Sequence, residues 1–200
     1  MPLQRQVLIA DDHPLIRHGF RSLLCGCEDM AVGGEAADSQ ATLQMVREQP
    51  WSLLVLDLSM PGRNGLELLK RVKSERPRMP VLVYSEFLEE LYAVRAIRAG
   101  ASGYVSKRAS AAQVLLAMRR LADGGVFFSD KVTELLAASP PRDPLELPHT
   151  RLTDREYGIF SRIISGARLT DIADELSLSV KTVSTHKSNI LEKMTLGGQV

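Results

Sequence analysis

Leu53-Leu54-Val55-Leu56-Asp57 is the stretch on which the fold turns. Four consecutive apolar residues, then a carboxylate, then Met60-Pro61-Gly62, describe a strand buried on both faces that ends in a turn. Val7-Leu8-Ile9-Ala10 has the same character and ends in Asp11-Asp12. Open α/β sheets place their chemistry at the carboxyl ends of parallel strands. Three carboxylates at two such ends therefore predict a small anionic pocket that suits a hard divalent cation. An aspartate beside such a cation is equipped to accept a phosphoryl group.

Working outward, apolar runs alternate with helical patterns. Strands are predicted at 6–10, 31–36, 53–57, 81–85 and 103–106, and helices at 14–24, 40–48, 66–75, 88–99 and 111–123. The helical stripes include Leu91, Val94 and Ile97 in one case and Val114, Leu115, Met118 and Leu121 in another. Five such βα units imply a parallel sheet covered on both faces, with Gly124-Gly125 closing the last helix. A short helix at 131–138, capped by Ser129, leads into Ser139-Pro140-Pro141-Arg142-Asp143-Pro144 and Pro148, which can be neither helix nor central strand.

Beyond that linker only helices are predicted. Thr153-Asp154-Arg155-Glu156 is a capping box that opens a helix holding Ile159, Phe160, Ile163 and Ile164 inside, and Gly166 ends it. Thr170 is expected to cap a second helix through Ile172, Ala173 and Leu176, and Ser179 a third through Val183, Ile190 and Met194. The predicted organisation is an α/β domain at 1–124, a linker with a short helix at 125–148, and a small all-α domain at 149–200.

Bulk composition narrows the class without deciding it. An apolar content of 44% with 24% charged residues is ordinary for a globular chain, and a net charge of +1 points to no global attraction for nucleic acid or membrane. No apolar run is long enough to span a bilayer, and the first strand runs straight into acids without a signal-peptide pattern, so a cytoplasmic protein is expected. Cys25 and Cys27 have no neighbouring ligands to complete a zinc set and read as reduced thiols.

The pocket chemistry follows from phosphoryl transfer being mostly positioning and charge neutralisation. Asp12, with Asp11 behind it, is placed to hold Mg²⁺ beside Asp57, and a backbone carbonyl near Ser59 would complete the protein ligands. Lys107, after the fifth strand, would neutralise the product, and the Ser85 hydroxyl, at the fourth strand tip, would bond a phosphoryl oxygen. A phosphatase of the haloacid-dehalogenase type wants a second aspartate two positions after the first. Ser59 stands there, so a turnover enzyme is not expected.

Residues 5–124 closely resemble the receiver domain of two-component response regulators, through Asp11-Asp12, Asp57, Met60-Pro61-Gly62, Ser85 and Gly100-Ala101-Ser102-Gly103-Tyr104-Val105-Ser106-Lys107. The resemblance implies a flavodoxin-like fold, phosphorylation of Asp57 by a sensor histidine kinase, and inward swinging of Ser85 and Tyr104 that repacks the fourth helix, fifth strand and fifth helix. Glu86 departs from the pattern, where small or apolar side chains are common. A carboxylate there is expected either to crowd the phosphoryl group, slowing its transfer or shortening its lifetime, or simply to point to solvent.

The second half carries a short turn, Ser177-Leu178-Ser179, between two capped helices, the plan of a helix-turn-helix. The last helix is expected to bury Val180, Val183 and Ile190 and to expose Lys181, Thr182, Ser184, Thr185, Lys187, Ser188 and Asn189, with Glu192 alone opposing Lys181, His186, Lys187 and Lys193. Leu152-Thr153-Asp154-Arg155-Glu156, Gly166, Asp171-Ile172-Ala173, Leu176, Ser179-Val180-Lys181-Thr182-Val183, His186 and Ile190 resemble the LuxR-type helix-turn-helix. Together the halves resemble the NarL/FixJ-type transcriptional regulators. The resemblance implies that Lys181, Thr182, Val183, Thr185, His186 and Lys187 meet double-stranded DNA, Lys181 and Lys187 mostly at phosphates. It also implies a homodimer on paired half-sites when phosphorylated, with the receiver covering the recognition helix beforehand.

The family continues past Lys193-Met194 into a fourth helix, whereas Thr195-Leu196-Gly197-Gly198-Gln199-Val200 is too short and too rich in glycine to form one. That departure is expected to weaken DNA binding. It supports the alternative of a signalling protein that acts through protein contacts.

Overall fold

The computed structural model describes residues 4–60, 65–87, 89–138, 152–176 and 178–195. Pro61, Gly62, the proline stretch from Ser139 to Pro148, Ser177, the residues after Thr195 and the side chain of Leu91 lie outside what is described. The chain divides into two compact units, Met1–Ala138 and Ser139–Val200.

In the first unit the elements run β1 (Arg5–Ala10), α1 (Pro14–Leu24), β2 (Met30–Ala36), α2 (Ser39–Glu48), β3 (Leu53–Leu56), α3 (Gly65–Glu75), β4 (Val81–Ser85), α4 (Glu89–Arg98), β5 (Gly103–Ser106), α5 (Ala111–Ala122) and α6 (Asp130–Ala138). All strand pairs are parallel, in the order β2-β1-β3-β4-β5. The inner strands are buried on both faces, which is why residues 7–10, β3 and most of β4 are unbroken apolar runs, whereas the edge strand β2 is only partly buried. Val7, Ile9, Leu53, Val55, Leu82 and Val105 face Phe20, Leu24, Val114, Ala117, Met118 and Leu121 of α1 and α5. The alternate residues Leu8, Leu54, Leu56 and Val83 are buried on the other face.

The order reverses between β1 and β3, so the carboxyl ends of those strands flank a crevice. Local chemistry sets several boundaries. Asp38 caps α2 by accepting from the Ala41 amide, and Ser110 and Gln113 form a capping box on α5. Gly65 opens α3 so close to the segment that follows β3 that a Cβ there would lie 2.4 Å from the Leu58 backbone.

The segment after α5 does not leave the domain. Gly124 turns it at φ +81°, and Phe127 then bridges to Gly103 in parallel. α6 packs against α4 with Val132 fully buried. The short helix expected in the linker is thus part of the first unit.

The second unit has α7 (Asp154–Ile164), α8 (Leu169–Glu175) and α9 (Val180–Thr195) around a core of Leu152, Tyr157, Ile159, Ile172, Ala173, Val183 and Ile190. The capping box of Thr153 and Glu156 forms as expected, and Gly166 turns the chain at φ +87°. Three expectations are corrected. Arg168, not Thr170, is the N-cap of α8, and the Thr170 hydroxyl instead donates to Asp171 within the first turn. Val180, at the start of α9, is exposed rather than buried, and so is Ile164, at the last turn of α7.

Candidate phosphoacceptor pocket and helix-turn-helix

Asp11 and Asp57 are brought together by strand pairing. Ala10 lies opposite Leu56, and the Asp57 amide donates to the Ala10 carbonyl at 2.8 Å, so both carboxylates leave the sheet side by side. They are 2% and 1% exposed, respectively, which makes their charge costly without partners. Lys107 supplies one. Its Nζ lies 2.8 Å from Asp11 Oδ2 and 2.9 Å from Asp57 Oδ2. The Lys107 amide donates to the Ser85 carbonyl at 2.9 Å, which ties the β5 tip to the β4 tip. Asp57 Oδ1 accepts from the Ser59 amide at 3.1 Å.

One ammonium serves two buried carboxylates, and the titration behaviour reflects it. Burial pushes the Asp57 carboxyl above its ordinary range. Lys107 pulls the other way, and Asp11 adds to the rise. Burial alone would lower Lys107, but Asp57 and Asp11 outweigh it and hold the ammonium above its ordinary value. Asp12 adds a third carboxylate to the group.

Two of their oxygens, Asp11 Oδ2 and Asp12 Oδ1, are buried without an aligned hydrogen bond, although Lys107 and His13 lie within ion-pair distance of them. Asp11, Asp12, His13 and Asp57 each offer one ligand atom, all within 4.8 Å of one another. Oxygen-rich, net anionic and short of donors, the group fits a divalent cation.

Two contributors were not anticipated from sequence. His13 sits against both acids, with Nδ1 at 3.2 Å from Asp11 Oδ1 and 2.9 Å from Asp12 Oδ1. Arg17 Nη1 donates to the Asp11 carbonyl at 2.7 Å while its Nε pairs with Glu35, bracing the acidic turn from α1. A histidine next to an acidic pair was the available signal for the first. The second lies a helical turn away and gives none.

Ser85 is fully buried, and its Oγ accepts from the Phe87 amide at 3.3 Å. Tyr104 is turned inward. Its hydroxyl donates to the Phe87 carbonyl at 2.9 Å beside Ser85, and burial holds its phenol well above the ordinary range. Glu86 is exposed, which agrees with the solvent-facing alternative rather than with crowding of the acceptor.

In the second unit, Ser179 opens α9 by accepting from the Thr182 amide at 3.0 Å. Lys181, Thr185, Lys187, Ser188 and Asn189 are exposed along it, and Thr182, Ser184 and His186 are half-buried. Val183, placed at the DNA face by the resemblance but on the buried face by its helical spacing, is fully buried: it is a core residue turned toward α7 and α8. Lys193, counted among the free basic residues, is bound to Glu156 at 2.6 and 2.7 Å. His186 Nδ1 is buried without a hydrogen-bond partner among the described residues.

A doubly wound domain with an acidic pocket at its switch point, followed by a helix-turn-helix, defines a class: a phosphoacceptor switch joined to a DNA-binding module. Residues 7–119 match the family described as response regulator receiver domain, and residues 150–200 match the bacterial regulatory proteins of the luxR family. The chain is 34% identical over 192 residues to the Fimbriae Z protein of Salmonella typhimurium, covering 95% of this chain and 90% of that protein. It is 33% identical over 196 residues to the nitrate/nitrite response regulator protein NarL of Escherichia coli, covering 97% and 91%. Among solved structures, RcsB from Salmonella enterica serovar Typhimurium, bound to promoter rprA in the presence of a phosphomimetic, has a TM-score of 0.66 at 27% identity and covers 96% of this chain and 92% of that one.

The chain belongs to the two-component response regulators that join a receiver to a LuxR-type DNA-binding domain, the NarL/FixJ type. It is a regulator of transcription, and its receiver implies a phosphodonor kinase as partner. No helix among the described residues is long and apolar enough to cross a membrane.

Proposed function

We propose that Asp57 is the residue a sensor histidine kinase phosphorylates, and that the phosphoryl group controls binding of α9 to paired DNA half-sites by a homodimer. One observation carries this reading: Lys107 stands 2.8 and 2.9 Å from two buried carboxylates that leave further oxygens without aligned donors. Such a pocket is built for more positive charge than the protein supplies.

The Asp57 carboxylate attacks phosphorus. The new bond is O–P, and the bond from phosphorus to the donor nitrogen breaks, leaving its electron pair on that nitrogen. Lys107 pairs with a phosphoryl oxygen, and the Ser85 hydroxyl donates to another. Asp11, Asp12, Asp57 and the Ser59 carbonyl would hold Mg²⁺, which when bound offsets the repulsion between the acceptor and the incoming oxygens. Tyr104 and Ser85, linked through Phe87, form the two-state element that reads the charge.

On α9, Lys181 and Lys187 neutralise phosphates, while Thr182, Thr185 and His186 lie along the same face for further contacts. A dimer on DNA is supported by RcsB, for which two dimers are seen bound to two parallel DNAs. The setting is the cytoplasm, where kinase and DNA are both reached.

The test is a gel shift on paired half-sites with and without an acyl-phosphate donor and Mg²⁺. The donor is expected to strengthen binding by the wild type and to leave Asp57→Asn unchanged. Equal responses would overturn the proposal. DNA binding absent in every state would favour signalling through protein contacts.

A further inference from the structure

The acidic turn carries a residue that phosphoryl transfer does not call for. His13 is the N-cap of α1, yet its side chain makes no capping hydrogen bond. The imidazole is 59% exposed, so its direction is set by polar contact rather than packing, and its Nδ1 is within hydrogen-bond distance of Asp11 Oδ1. It nevertheless lies over the acids, with Nδ1 2.9 Å from Asp12 Oδ1 and 3.2 Å from Asp11 Oδ1. The turn beneath it is braced: the His13 amide donates to Asp11 Oδ1 at 2.8 Å, and Arg17 holds the Asp11 carbonyl.

Those spacings have a metric meaning. Two cis ligands of an octahedral ion with bonds of about 2.1 Å are separated by roughly 3.0 Å. The Nδ1 to Oδ1 separations of 2.9 and 3.2 Å bracket that edge, so a cation could replace the hydrogen bond and ion pair now there with little movement of the ring. Asp12 Oδ1, one end of the shorter edge, is among the buried oxygens without an aligned hydrogen bond. The four ligand atoms of Asp11, Asp12, His13 and Asp57 lie within 4.8 Å of one another, close to the roughly 4.2 Å that separates trans ligands at such bond lengths, so small side-chain adjustments bring them into one sphere.

We infer that His13 is a nitrogen ligand to the divalent cation of this pocket, and that it shifts the site's preference from Mg²⁺ toward divalent transition ions that accept imidazole. The inference rests on the cation-assisted acceptor reading above and deepens it. All-oxygen sites suit Mg²⁺, whereas one imidazole favours the later first-row ions. The pocket would thus respond to which metal is present and not only to the phosphodonor.

Co²⁺ is the probe, because an imidazole bound to it gives a hyperfine-shifted exchangeable N–H proton resonance. The full chain is titrated with Co²⁺ and with Mg²⁺ by calorimetry, and the Co²⁺ form is examined by proton NMR. Expected for the wild type is the shifted resonance and a Co²⁺ affinity well above that for Mg²⁺. In His13→Ala and in the size-matched His13→Gln, the resonance is expected to vanish. Co²⁺ affinity should then fall by roughly tenfold or more, since loss of even an outer partner of a metal ligand costs that much. Mg²⁺ affinity should change less.

If both ions bind and their affinity ratio is the same in wild type and variants, or the resonance persists without His13, the inference is overturned while the acceptor reading stands. If neither ion binds to wild type, and Asp57→Asn behaves identically, both fall together.

Discussion

Two buried carboxylates, one in each unit, are paired with a lysine and respond in opposite directions. Asp57 is pushed above the ordinary carboxylate range, chiefly by burial, although Lys107 touches it. Glu156 is also buried but less deeply, and its lysine is part-exposed; burial again raises it, but Lys193 and Thr153 more than offset that and hold it below its ordinary value. The difference is the depth of burial together with the number of claims on each cation. Lys107 is shared with Asp11, whereas Glu156 receives Lys193 together with the Thr153 amide at 2.8 Å and hydroxyl at 2.9 Å. A satisfied buried charge locks helices together. An undersupplied one is a place for an incoming cation, and chemistry is kept where satisfaction is incomplete.

The largest way to test that contrast is to remove the shared cation. Lys107→Ala leaves two buried carboxylates facing each other and is expected to lower stability by about 3 kcal/mol in metal-free buffer at neutral pH. Denaturant unfolding measures it, and added Mg²⁺ should restore part of the loss. Asp57→Asn is expected to act in the opposite sense and raise the unfolding midpoint, because Lys107 then serves Asp11 alone. The sign follows from linkage. With its folded pKa raised, Asp57 binds protons more readily in the folded than in the unfolded chain, so its charge costs stability at neutral pH and the cost fades as pH falls. The gain from Asn should therefore shrink between neutral pH and the ordinary carboxylate range near 3.8.

The smallest effect is expected in the helical unit. Glu156→Gln keeps an acceptor for Thr153 but loses the ion pair, and Lys193 is part-exposed, so solvent screening leaves about 1 kcal/mol. The lowered folded pKa of Glu156 means that its contribution is full above pH 4.5 and is lost as pH falls through the folded value, so wild type and variant should converge in acid. A variant more stable than wild type at neutral pH would break the comparison.

Much of this was legible because burial on both faces leaves unmistakable apolar runs. The strand tips at Asp11, Asp57, Ser85 and Lys107 follow from where those runs stop, and β4 and β5 occupy the predicted spans. What escaped depends on three-dimensional partners. Val183 is assigned to the core by its helical spacing and to the DNA face by resemblance, and its packing against α7 and α8 decides for the core. Lys193 looked free because Glu156 is 37 residues away in sequence. Thr170 has the right side chain for a cap, but the turn at Gly166 delivers Arg168 to that position instead. α6 looked like linker because its packing partner is α4, and amphipathicity does not name a partner.

The return of the chain beside β5 has a consequence for solubility. β5 is the end strand of the sheet, and an open strand edge is a template for pairing with another molecule. Here the Tyr104 amide donates to the Phe127 carbonyl, and the Phe127 amide to the Ser102 carbonyl, so the molecule caps the start of that edge with its own backbone. A receiver fragment cut after Gly124 would lose this cover together with α6. It would bare both a strand edge and a flank of α4, and self-association would be the natural result. One cut after Ala138 keeps both.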